Sequence, residues 1–119
     1  MRLVIIESPY AGDVERDVAY ARACVRDALE RGEAPIASHL LYTQPSILRD
    51  EVPAERQWGI DAGLAWRKVA ELTAVYADYG ITSGMQYGIG LAERQGIPIE
   101  ERRILDTPLS ARSGDDTWA

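Results

Sequence analysis

The sequence predicts an α/β protein, a three-layer Rossmann-like sandwich on a mainly parallel four-stranded sheet in the order 2-1-3-4, with room for an added edge strand. Short apolar runs (Leu3–Ile6, Ala34–Ala37, Glu71–Ala77 and one opening at Ile97) alternate with long amphipathic stretches. Such runs, bounded by turn residues, read as strands buried on both faces, the mark of a parallel sheet. Strand, helix, strand in that sequence makes a right-handed crossover unit. The 119 residues suit one domain with a single sizeable core. Residues 1–104 form that domain, and 105–119 a tail, loosely ordered or docking on a neighbouring subunit through Leu105, Leu109 or Trp118.

The first strand breaks abruptly into Ser8-Pro9-Tyr10-Ala11-Gly12-Asp13. In open α/β sheets ligands sit outside the carboxyl ends of the strands. This loop is therefore the first candidate site, offering an acid in Glu7, a hydroxyl in Ser8 and an aromatic ring in Tyr10. The plainer reading is a β-to-α connection with Asp13 as the helix cap.

A helix follows from Asp13 to Arg31. Val14, Val18, Ala21, Val25, Ala28 and Leu29 recur at three- and four-residue steps and make its apolar stripe. Arg16, Asp17, Arg22, Arg26, Asp27 and Glu30 fall on the solvated face, and Gly32 stops the helix. Cys24, the single cysteine, reads as a small core residue.

Ala34–Ala37 is a short second strand that Pro35 places at an edge. It ends at Ser38-His39-Leu40-Leu41-Tyr42. His39 is the only histidine: a general acid/base near neutral pH, or, more often at a strand end, a hydrogen-bonded structural group. With one histidine and one cysteine no metal site is expected. Residues 43–53 carry two prolines and have the length of a lid or binding segment. A helix from Ala54 to Lys68 can bury Trp58, Ala62, Ala65, Trp66 and Val69, with Gly59 and Gly63 permitting close backbone approach. Asp61 either faces solvent or points into the cleft.

The third strand, Glu71–Ala77, leads to Asp78-Tyr79-Gly80-Ile81-Thr82-Ser83-Gly84 and a helix from Met85 to Gln95. A hydroxyl and free amides at a helix N-terminus suit an anion such as phosphate, although ordinary capping by Thr82 or Ser83 serves the same residues. Strand order 2-1-3-4 puts the switch point between strands 1 and 3, so the loops at 7–13 and 78–84 are expected to converge on one cleft. A carboxylate, a hydroxyl, an aromatic ring and a helix N-terminus together suit a nucleoside or sugar phosphate.

A formal charge of −6 argues against a nucleic-acid partner, which calls for a basic face. No apolar run approaches a membrane span, and no leader pattern precedes the first strand, so the expectation is a cytoplasmic protein with no membrane partner.

Ile-Glu-Ser-Pro-Tyr-Ala-Gly-Asp at 6–13, Ala-Pro-Ile-Ala-Ser-His at 34–39, Gly-Ile-Thr-Ser-Gly-Met at 80–85 and Gly-Ile-Pro at 96–98 resemble the nucleoside 2-deoxyribosyltransferase-like superfamily. The likeness is greatest to its small, phage- or prophage-type members and covers roughly residues 2–100. The resemblance implies a flavodoxin-like fold, no cofactor, a homo-oligomer, and cleavage or transfer at an N-glycosidic bond. It further implies a tyrosine after strand 1 lining the pocket, matched by Tyr10, and an aspartate after strand 3 assisting at the base, matched by Asp78. The superfamily's nucleophilic glutamate, near the start of the last helix, falls on Gly88, and glycine offers no nucleophile.

Two readings follow. In the first, the chain is an enzyme acting on a nucleoside or its 5′-monophosphate. Glu7 or Asp78 then does the acid/base or nucleophilic work, and Ser8, Tyr10, Asp13, His39, Asp61, Ser83, Gly84, Met85 and Gln86 position the ligand. In the second, the scaffold binds a nucleotide-like ligand or a protein without chemistry. A purely structural module would show no small-molecule pocket.

Overall fold

The computed structural model describes residues 1–10 and 12–105. The elements run β1 (Leu3–Glu7), α1 (Val14–Glu30), β2 (Ala34–Ile36), α2 (Ser38–Leu41), α3 (Pro53–Arg67), β3 (Leu72–Tyr76), α4 (Ser83–Gln95) and β4 (Ile99–Arg102). The four strands pair in parallel in the order β2-β1-β3-β4, the flavodoxin-like arrangement read from the sequence. Leu3 stands beside Ala34 on one side of β1, and Glu7 beside Val75 on the other. On the far edge Tyr76 is level with Arg102.

Strand periodicity assigns the two faces. Val4, Ile6, Leu72, Ala74 and Tyr76 pack with Tyr20, Cys24 and Ala28 of α1 into one apolar cluster. The alternate residue Glu7 instead meets Arg67 of α3 and Gly88 of α4, which lie on the opposite face. The ends of α1 and α4 carry the caps that their sequences offer. Asp13 accepts from the Arg16 N–H and Thr82 from the Met85 N–H, while Gly96 ends α4 in the left-handed region at φ 69°.

Four local expectations are corrected. Residues 38–41 form a helical turn, not the end of a strand: the Tyr42 N–H bonds back to the Ser38 carbonyl at 3.0 Å. β4 begins at Ile99 and continues through Glu100 and Glu101, because Arg102 at its end is anchored by Glu33. Asp17 is buried, not solvated. The stripe of α1 that meets the sheet is Tyr20, Ala21, Cys24 and Ala28, while Val14 and Leu29 are exposed.

The third helix departs furthest from its pattern. None of its fifteen residues is buried, and Trp58 stays 69% exposed. Its glycines do permit close approach. A Cβ on Gly59 would stand 3.1 Å from Leu48 Cδ1, and one on Gly63 3.4 Å from Ser38 Oγ. Of the expected tail at 105–119, residues 106–119 lie outside the described residues, while Leu105 is held through its N–H by Asp78. Among those described, no helix is long and apolar enough to cross a membrane.

Candidate functional site

The end of β1 sends consecutive side chains in different directions. Glu7 is buried between the sheet and the two helices of its face. Its Oε2 pairs with Nη2 of Arg67, and the side chains are only 9% and 14% exposed. Arg67 Nη1 also reaches the Gly88 carbonyl at 3.5 Å. Three elements, β1, α3 and α4, therefore meet at one ion pair.

Gly88 explains how the pair fits. A Cβ built there would overlap the Glu7 carboxyl carbon and Oε2 and stand 2.7 Å from Arg67 Nη2. The space that any other residue would fill from α4 is filled instead by a carboxylate from β1. Arg67 was absent from the sequence-derived candidates; its sole signal there was a cation in the last turn of an otherwise apolar-rich helix.

Ser8, one residue on, reaches His39 of α2: Ser8 Oγ and His39 Nε2 are 2.9 Å apart. The Tyr10 ring packs edge-on against the imidazole with centroids 5.9 Å apart. Burial pushes the His39 pKa down to about 4, opposed by the negative charge of Asp17, so the ring is neutral at pH 7. Asp17 has one carboxylate oxygen bonded by the Arg16 guanidinium at 3.0 and 3.1 Å. Its other oxygen is buried with no partner among the described residues.

His39 and Tyr10 form one wall of an open cleft of about 190 Å³, lined also by Tyr42 at the end of α2, Leu48 and Asp50 of the 43–53 segment, and Arg56 and Ile60 of α3. The cleft exceeds the ~150 Å³ cavity that accepts a benzene ring and falls short of the ~300 Å³ typical of a whole drug-sized ligand. One ring fits.

The remaining candidates lie elsewhere. The Asp78 carboxylate is taken up by the Ile104 and Leu105 N–H groups at 2.8–3.1 Å and by the Tyr20 hydroxyl. Asp13 caps α1. Asp61 is exposed and accepts from Gln57 within α3. Ser83, Gly84, Met85 and Gln86 open α4, with Met85 buried in the core and its N–H held by Thr82. None of these lines the cleft, so the loops at 7–13 and 78–84 do not share it. Of the sequence-derived candidates only Tyr10 and His39 line the cleft; Ser8 adjoins it through His39, and the Glu7 side chain turns away to Arg67 and Gly88. Among the described residues no cluster of three or more His, Cys, Asp or Glu stands ready for a metal.

A family model matches residues 2–102, that of a domain of unknown function (DUF7768). No curated protein matches the chain.

Proposed function

The chain belongs to that family, which carries no activity with it, and from the site itself we propose cleavage or transfer at the N-glycosidic bond of a nucleoside or its 5′-monophosphate, with Glu7 as the working carboxylate. One observation carries this reading: the Glu7 carboxylate occupies the place that a side chain at 88 would take. In the superfamily that the sequence resembles a glutamate stands at that position, and on this reading Glu7 takes over its role from the central strand. Glycosidic chemistry needs such a group, as nucleophile on the anomeric carbon or as base toward water. The Arg67 guanidinium pairs with this buried carboxylate, and an opposite charge in contact favours a carboxylate's charged form. The ring-sized cleft beside Tyr10, His39 and Tyr42 suits the nucleobase. The reading includes self-association, supported by the exposed Trp58 and Trp66 of α3.

A second reading, binding without turnover, is favoured by Asp78. Its oxygens are occupied by backbone amides and Tyr20 and are not free to assist a leaving base.

The test is chromatography of nucleosides and 5′-monophosphates after incubation with the protein, with and without a second acceptor base, beside Glu7→Gln. Base release or exchange that disappears in the variant is the expected result. Intact ligands that nevertheless raise Tm select the second reading. No turnover and no stabilisation by any of them overturns both.

A further inference from the structure

Glu7 alone among the described carboxylates faces a helix position stripped of its side chain, and it arrives there already paired. We infer that Arg67 is the positioning residue of this site, its guanidinium holding the Glu7 carboxylate against the bare Cα of Gly88. The inference rests on the reading of Glu7 given above and assigns the group that governs it.

The geometry carries it in three steps. First, Glu7 ends a central strand and is held in register with Val75 of β3, so its backbone is placed and its side-chain torsions are what remain free. Second, those torsions are set by Arg67, which reaches Glu7 Oε2 with one terminal nitrogen and the Gly88 carbonyl with the other. The planar guanidinium thus ties the carboxylate to the backbone of α4, a two-point hold that an ammonium cannot reproduce. Third, the pair is almost dry, with side chains 9% and 14% exposed. Burial pushes the Arg67 pKa down, and in a weakly screening interior a close opposite charge favours the charged forms of both partners. Arg67 comes from α3, Tyr87 of α4 is the next ionisable group near the guanidinium, and His39 lies on the other side of Ser8. Burial holds His39 neutral, so Arg67 supplies the positive charge beside Glu7.

The experiment follows the Glu7 carboxyl carbon by NMR in glutamate-labelled protein, assigned with Glu7→Gln, and runs the pH dependence of base release in parallel. Arg67→Met is expected to move the Glu7 midpoint up by about one to three pH units. The acid limb of kcat moves with it, and KM changes by less than about twofold, since only the reacting carboxylate is affected. Arg67→Lys keeps the charge and loses the fork. Its midpoint and acid limb stay near those of the wild type, while kcat falls about tenfold through lost aim.

An unmoved Glu7 midpoint in Arg67→Met overturns the inference, because Arg67 is then packing alone. If Arg67→Met does not fold, Arg67→Lys decides: a kcat equal to the wild type overturns, a lowered kcat on an unshifted pH profile supports. The titration needs no substrate, so the two ideas fail separately. A wild-type protein that releases no base while its Glu7 midpoint responds to Arg67 loses the catalytic reading and keeps the inference. Turnover with an unresponsive midpoint does the reverse.

Discussion

At position 88 a single added methyl group is expected to destabilise the fold. In Gly88→Ala the added Cβ overlaps the Glu7 carboxylate, which is pinned by Arg67. Overpacking of this kind costs about 1–3 kcal/mol. Removing the obstruction with Glu7→Ala relieves that cost, so the double variant is destabilised by less than the sum of the single ones. A coupling of about 0.5–3 kcal/mol in a thermal-denaturation cycle is the expected reading, and simple additivity contradicts it. His39 makes a second prediction at this scale. Its folded pKa, about 4, lies below its ordinary value of 6.5. Between those values the unfolded chain binds the proton and the folded one does not, so stability falls as pH drops through that window. His39→Gln flattens the Tm profile between pH 6.5 and 4; an unchanged slope contradicts it.

Among the elements, the stretch after β4 depends on Asp78 more than on any apolar contact named above. Its carboxylate accepts from the Ile104 and Leu105 N–H groups and from Tyr20, tying the chain beyond β4 to the loop after β3. Asp78→Ala is expected to cost about 1.5–3 kcal/mol, the worth of hydrogen bonds to a charged group. Amide exchange at Ile104 and Leu105 speeds up selectively, which separates anchoring from any loss of catalysis. The sheet and its order were legible because four apolar runs of strand length alternate with helix-period stretches, and crossover handedness leaves few topologies. The tight turn at Ser38–Leu41 was not, since four residues are too few to show a helical period. Nor was the exposure of α3, whose tryptophans sit at core-like spacing; periodicity reports an apolar stripe and is silent on what covers it. Glu7, Ser8, Tyr10 and His39 could each be named from the residues that follow the apolar runs, but the meeting of Ser8 and Tyr10 with His39 could not, because it joins two turns 31 residues apart. Arg67, the partner of Glu7, was not legible, because the contact spans 60 residues of sequence and depends on a missing side chain at 88.

For the molecule as a whole, the far sheet edge is locked by charge. Arg102, at the end of β4, forks onto Glu33 at 2.7 and 2.8 Å and donates to the Tyr76 hydroxyl, which donates in turn to Asp27. Glu33 also receives Arg2 at 2.9 Å. This network joins the start of β1, the entry to β2, the ends of β3 and β4, and α1. Arg102→Met leaves Glu33 buried with its main partner gone and is expected to cost about 3–5 kcal/mol. Arg102 holds the Glu33 carboxyl below the usual carboxylate range despite the opposing effect of burial. The stabilisation is therefore complete above the ordinary carboxylate pKa of about 4.3 and is lost as pH falls through the lower folded value. Glu33→Gln removes that acid component from the denaturation profile. On the opposite face, self-association through α3 predicts that Trp58→Glu lowers the weight-average mass in sedimentation equilibrium at micromolar protein; an unaltered mass counts against α3 as the contact.

Cys24 sits within the α1–sheet cluster with no exposed surface. Burial pushes its thiol well above the ordinary range, so the nucleophilic thiolate is suppressed as well as hidden. The chain has one cysteine, and that one lies where α1 meets the sheet. An alkylating reagent added to the native protein consequently measures how often this core opens. The rate of modification against reagent concentration separates the opening equilibrium from the opening rate. The fold carries its own clock, set by the same packing that keeps β1 central, and every substitution proposed above can be ranked on it without adding a probe.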